Sequence, residues 1–214
     1  MILYIDTSSN FLYTGIVDNN KLIAEIKKEF GHNLSEAALP EIVSMFEENK
    51  ISPKDIDKII VVNGPGSFTG IRIGITIAKV YAWSLNVPIT TITSLEAMAI
   101  SKEEDIPKVP IIDARRGYCY AAIFNSDNKE ILKPSYLTYE ELQKELDKIE
   151  NYIVITNDEE KLKVTHQNTT TYTPNILEVV NCFKTKKEIN PHAINPEYLK
   201  LTEAEENKKN DSTN

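Results

Sequence analysis

Apolar residues fall along this chain in two periods. From Ile59 to Val62 they run without alternation and are β-branched, the pattern of a strand covered on both faces. From Phe68 to Leu85 they recur at helical spacing, with no proline and only Arg72 and Lys79 charged, which predicts a long helix. Between and into these runs lies Asn63-Gly64-Pro65-Gly66-Ser67-Phe68-Thr69-Gly70-Ile71-Arg72-Ile73-Gly74, with four of the chain's seven glycines. Gly64, Pro65 and Gly66 reverse the chain, Gly70 falls in the first helical turn, and Ser67 or Thr69 is placed to cap it.

The long helix carries more apolar surface than one sheet can cover. Ile71, Ile75, Ala78, Ala82 and Leu85 form one stripe; Ile73, Ile77, Val80, Tyr81 and Trp83 spread over most of the remaining circumference. A second stripe means either a helix sandwiched inside a large domain or a face kept for another chain. The second reading is preferred here.

Before this unit, Ile2–Ile5, Phe11–Val17 and Lys21–Lys28 read as three strands of a meander, with Asp18-Asn19-Asn20 as a hairpin turn. Residues Asn33–Asn49 have a helical stripe of Leu34, Ala38, Ile42 and Met45, and Pro40 suggests a start nearer Leu39. After Leu85 come an extended Ile89–Thr93 and a short helix capped by Ser94, giving βββαβαβα in the first hundred residues. A polar gap, Ser101–Lys108, marks a lobe boundary. Beyond it, Val109–Asp113 and Tyr118–Phe124 read as strands around the turn Ala114-Arg115-Arg116-Gly117. Asn125–Glu130 is a turn, Tyr139–Ile149 a helix, Tyr152–Ile155 a strand and Asn175–Phe183 a helix. The domain reading is a first lobe over 1–100, a reduced second lobe over 101–200, and a frayed tail over 201–214.

Composition narrows the function classes. Net charge is −8, from 24 basic and 32 acidic side chains, so unaided binding of nucleic acid is not expected. No stretch is apolar enough to span a membrane, and the N-terminus lacks the basic region of a signal peptide, so the expected location is the cytoplasm. Cys119 and Cys182 form no metal or disulfide pattern and read as small buried hydrophobes. His32, His166 and His192 are isolated. The glycine turn fits neither phosphate fingerprint: Gly70 is followed by Ile71-Arg72 rather than Lys-Ser/Thr, and a dinucleotide loop needs glycine at Thr69. Asp6-Thr7-Ser8-Ser9 has the polar character of a first phosphate-binding loop in actin-like ATPases, or of a turn that satisfies its own backbone. Asp113 with Arg115 and Arg116 could clamp an anion, or simply fix a hairpin through an Asp113–Arg115 pair, the preferred reading.

Taken in order, Ile5-Asp6-Thr7-Ser8, Gly64–Gly74 with Lys79, Ser94-Leu95-Glu96-Ala97, Asp113-Ala114-Arg115-Arg116-Gly117 with Tyr120, and Pro196-Glu197-Tyr198-Leu199-Lys200 resemble the successive motifs of the TsaB family, also called YeaZ. The chain departs from that pattern at Leu34-Ser35-Glu36, at Tyr118-Cys119 and at Lys200. The resemblance implies an α/β, actin-like ATPase (ribonuclease H-like) two-lobe fold, each lobe a mixed sheet with flanking helices. It implies a non-catalytic subunit for threonylcarbamoyladenosine modification of tRNA, with no catalytic, cofactor or metal residues of its own. That subunit pairs with and activates a TsaD-type catalytic subunit, acts with TsaE-type and TsaC-type proteins, self-associates when alone, and meets tRNA only through the complex. Pairing in the family uses the two long helices of the first lobe. On this chain that selects Leu39, Ile42, Val43 and Phe46 from one, and Ile73, Ile77, Val80 and Tyr81 from the other. A stand-alone ATP-dependent transferase or kinase-like enzyme and a metallopeptidase-like protein are the alternatives.

Overall fold

The computed structural model describes residues 1–165 and 168–200. The tail expected over 201–214, and His166, lie outside the described residues. Two five-stranded sheets organise the chain. The first comprises β1 (Ile2–Asp6), β2 (Phe11–Asp18), β3 (Lys21–Glu29), β4 (Lys58–Val62) and β5 (Ile89–Ile92), in the order β3-β2-β1-β4-β5. The second comprises β6 (Lys108–Asp113), β7 (Tyr118–Phe124), β8 (Glu130–Thr138), β9 (Ile153–Thr156) and β10 (Asn168–Thr171), in the order β8-β7-β6-β9-β10. Each sheet is therefore an antiparallel meander extended by two parallel strands, the same 3-2-1-4-5 order twice.

Among the described residues five α-helices fill the layers: α1 (Leu34–Glu48), α2 (Phe68–Leu85), α3 (Ser94–Ile100), α4 (Tyr139–Leu146) and α5 (Ile176–Phe183). Helices α1 and α2 cover the outer face of the first sheet, burying Ile42, Met45, Ile71, Ile75, Ala78 and Ala82 against Leu3, Ile5, Ile59 and Val61. Between the sheets, α3 and α5 share a core with Tyr4, Ile60, Ala122, Phe124 and Ile155. Helix α4 closes the far face of the second sheet with Tyr139, Leu142 and Leu146. Strand β4 is buried throughout, as its unbroken apolar run requires.

Several local expectations change. Pro40 does not open α1, which begins six residues earlier at Leu34. Leu34 and Ala38 bury with Leu12 in a small core of their own, and that packing holds the turn ahead of a proline whose missing amide forfeits one helical bond. Thr93, not Ser94, caps α3, through a reciprocal box with Glu96. The Asp113–Arg115 contact is a bond from the Arg115 amide to the carboxylate, 3.3 Å, with no ion pair between the side chains among the described residues. Cys182 is exposed rather than buried. Strands β8 and β10 lie at the edges of the second sheet, where no strand is read from the sequence.

The chain also crosses between the lobes twice rather than once. Helix α5 packs on β1, β2 and β3, and residues 189–198 then run along α2 as a strap. The Ile189 amide donates to the Ile89 carbonyl at 2.8 Å, and the Glu197 amide to the Asn63 carbonyl at 2.7 Å. Lys79 donates to the Ile194 carbonyl at 3.0 Å, and Arg72 Nε to the Tyr198 hydroxyl at 2.8 Å. The polar line of α2 is thus the seat of the strap, and Ile194 is buried beneath it.

Candidate functional site: an apolar helix face beside a closed glycine junction

Two places on the first lobe carry the residues singled out by sequence. One is the junction of the glycine turn with the β1–β2 loop. The Ser67 amide donates to the Ser8 carbonyl at 2.7 Å, and the Thr7 hydroxyl to the Gly70 carbonyl at 2.7 Å. Glycine is required for this approach: a Cβ on Gly66 would lie 2.2 Å from the Ser8 carbonyl oxygen, and one on Gly70 2.1 Å from that of Thr7. The Gly70 amide is taken by the Ser67 cap at 3.2 Å, and the Ser94 hydroxyl donates to the Pro65 carbonyl at 2.5 Å. The loop and the helix N-terminus therefore spend polar groups on each other that an anion site would leave free.

Beneath this junction Asp6 is buried and accepts from the Ser8 amide at 2.8 Å. Burial raises its pKa, against the opposing pull of that amide. Above it opens a cleft of 710 Å³ between the lobes, lined by Ser8, Asn10, Phe68, Asp113, Arg115 and Asp158, with Glu29 and Tyr120 also on its wall. Asp113 is fixed there by the Tyr139 hydroxyl, 3.0 Å away, and Asp158 pairs with Lys161. Its walls thus carry three carboxylates against one arginine, a poor setting for a polyphosphate. Among the described residues no three His, Cys, Asp or Glu side chains converge as metal ligands.

The other place is the outer face of α1 and α2. Leu39, Val43 and Val80 are 53%, 45% and 59% exposed, and Trp83 is 67% exposed. Ile73, Ile77 and Tyr81 are half-buried, whereas Ile42 and Phe46 point inward into the first lobe's outer core. Leu39, Ile42, Val43, Phe46, Ile77 and Tyr81 nevertheless share one apolar groove of 380 Å³ between the helices. The Tyr81 hydroxyl donates to the Pro53 carbonyl at 2.5 Å, and its ring lies 6.2 Å from that of Phe46, closing the groove's floor. Trp83 belongs to the exposed set but not to the residues selected from sequence. Its helical position beside Val80 was the available signal.

Comparison with known proteins decides the family. The model of the tRNA N6-adenosine threonylcarbamoyltransferase family, TsaD, matches residues 21–183. The tRNA threonylcarbamoyladenosine biosynthesis protein TsaB of Bacillus subtilis (strain 168) is 32% identical over 222 residues, spanning 95% of this chain and 96% of its own. The chain belongs to the TsaB family. A TsaB of Buchnera aphidicola subsp. Acyrthosiphon pisum (strain APS) is 31% identical over 144 residues, covering 60% of this chain and 64% of the other. In three dimensions the chain superposes on YeaZ from Pseudomonas aeruginosa with a TM-score of 0.74 at 15% identity, over 92% of this chain and 99% of that one. The fold is thus the two-lobe, actin-like ATPase architecture, and TsaB membership assigns a role in tRNA threonylcarbamoyladenosine biosynthesis. Among the described residues no helix is long and apolar enough to cross a membrane.

Proposed function

We propose that this TsaB-family chain is a non-catalytic subunit that docks a TsaD-type catalytic subunit on its α1–α2 face and activates it. The observation that carries the reading is the exposed row of Leu39, Val43, Val80 and Trp83 beside an apolar groove. Fully burying a Val or Leu side chain is worth about 1.5–3 kcal/mol, so Leu39, Val43 and Val80, left about half exposed, withhold about 1 kcal/mol each until something covers them. The non-catalytic part rests on the glycine junction, where the Ser67 and Gly70 amides are engaged by the chain itself, and on the carboxylate-lined cleft. In this reading a TsaE-type ATPase acts on the assembled pair. The same face supports weak self-association when the partner is absent.

The test is reconstitution. Tagged catalytic subunit should retain this chain on co-purification, and tRNA modification should require both. Val80→Glu should weaken pairing at least tenfold, about 1.4 kcal/mol or more, with the circular dichroism of the chain unchanged. Full modification by the catalytic subunit without this chain, or turnover by this chain alone, would overturn the proposal.

A further inference from the structure

The chain has 24 basic side chains, of which only Arg72, Arg115 and Arg116 are arginines. Arg115 and Arg72 border the cleft between the lobes, and Arg116 lines the adjoining hollow at the tip of the second lobe's first hairpin. Arg115 lines the cleft, and Arg116 follows it in the tip of the β6–β7 hairpin. Arg72 lies across the mouth on α2, its guanidinium 3.7 Å above the ring of Phe68, which itself lines the cleft. None of the three takes part in an ion pair among the described residues, although the protein is acidic overall. Arginine is the cation suited to bidentate phosphate contact and to stacking on rings.

Aromatic rings stand on the cleft wall, at Phe68 and Tyr120, and stack with others beside it. On the first-lobe side Phe68, 57% exposed, stacks on Tyr198 with centroids 5.6 Å apart. On the second-lobe side Tyr118, 37% exposed, stacks on Tyr136 at 4.8 Å and 5°, and Tyr136 also meets Tyr120. Strand alternation explains the grouping: Tyr118 and Tyr120 share one face of β7, and Tyr136 is the cross-strand partner of Tyr120. Lys200, at the end of the strap, sits 5.8 Å over the ring of Tyr136.

Cations on the rim, exposed ring faces between them and carboxylates farther in make an ordered surface. A phosphate chain is attracted to the rim and repelled by Glu29, Asp113 and Asp158 inside. Unstacked bases find rings at the positions where the phosphates are held, the combination that binds single-stranded nucleic acid.

We propose that the cleft mouth at Arg115 and Phe68, together with the adjoining hairpin tip that carries Arg116 and Tyr118, is a contact site for a single-stranded loop of RNA. It rests on the subunit reading above and extends it, placing part of the tRNA contact on this chain rather than wholly on its partner. The strand crosses the mouth, with phosphates on the arginines and base faces on the rings, and does not enter the cleft.

The experiment is fluorescence anisotropy of a labelled tRNA anticodon stem-loop against the complex of this chain with its catalytic partner, over a range of salt. Arg115→Gln with Arg116→Gln should weaken binding at least tenfold at low salt. It should also make the salt dependence shallower by about one to two in the log–log slope. Arg115→Lys with Arg116→Lys should restore the slope. Phe68→Leu with Tyr118→Leu should weaken binding and leave the slope alone. Size-exclusion chromatography checks that each variant still pairs. Unchanged affinity and slope in paired variants would overturn the site. So would lost affinity for a TsaE-type protein with RNA binding intact, which would make the mouth a protein-docking surface. If the unmodified chain fails to pair, the subunit reading falls; the same titration on the chain alone then decides the RNA contact.

Discussion

Helices α2 and α4 do the same work on different sheets, and their outward faces differ. Each covers the outer face of a five-stranded sheet and buries its inward stripe, Ile71, Ile75, Ala78 and Ala82 in one, Tyr139, Leu142 and Leu146 in the other. Outward, α4 presents Glu140, Glu141, Lys144 and Glu145, the charged face that a surface helix ordinarily carries. Outward, α2 presents Val80 and Trp83, with Leu39 and Val43 of α1 alongside. Covering a sheet explains the first pattern and leaves the second unexplained. The contrast singles out the proposed docking face within one molecule, without reference to any other.

The contrast breaks most readily from beneath α2. Gly70→Ala would drive a methyl carbon to 2.1 Å from the Thr7 carbonyl oxygen, a backbone atom that cannot swing aside. We expect a loss of about 3 kcal/mol or more, read as a fall in the urea midpoint; a loss under about 1 kcal/mol would mean that α2 is not seated by backbone contact. The two outer layers themselves are compared by truncation. Leu142→Ala, at a fully buried site of α4, should cost about 3 kcal/mol and leave pairing untouched. Val80→Ala should stay within about 0.5 kcal/mol of the parent in stability and weaken pairing. If the two variants behave alike, α2 is only a cover.

The smallest expected effect sharpens the picture under the glycine junction. Burial raises the pKa of Asp6, so the folded chain holds that proton to a higher pH than the unfolded chain does. The resulting contribution to stability is present at low pH and lost as pH rises through the folded value. Asp6→Asn cannot ionise, and its Oδ1 can still accept from the Ser8 amide. Its stability relative to the parent should therefore grow between about pH 4 and about pH 7, measured by urea titration at both ends. A variant that loses ground as pH rises would show that the carboxylate is held by attraction rather than tolerated.

How much of this was legible in the sequence varies with where each element sits. The first hundred residues read in their observed order, because strands such as Ile59–Val62 and the helix Phe68–Leu85 are bounded by glycine, proline and caps and have clean periodicity. The edge strands of the second sheet were not legible. Strand β8 carries Pro134 and mixes charge with apolar residues, and β10 is Asn168 followed by three threonines; at a sheet edge neither needs a full apolar face. The start of α1 depended on tertiary contact between Leu34, Ala38 and Leu12, which no local pattern reports. At the candidate face, the excess of apolar residues on α2 could be read, but not which of them are exposed. Ile42 and Phe46 share the periodicity of Leu39 and Val43, and only the packing of α1 on the sheet separates an inward residue from an outward one. Arg72 and the Arg115–Arg116 pair stood apart in sequence, and only the two lobes together put Arg115 and the ring beneath Arg72 on one cleft.

The strap has a consequence for the order in which the molecule is completed. Ile194 occupies the same hydrophobic cluster as Leu3 and Ile5, and Lys79 on α2 is held by carbonyls that lie more than a hundred residues downstream. On the ribosome, the segment made first waits for one made more than a hundred residues later. The first half of the chain is not a module that finishes early and idles, and a truncation that spares every residue of α1 and α2 would still leave α2 with one flank unsheathed.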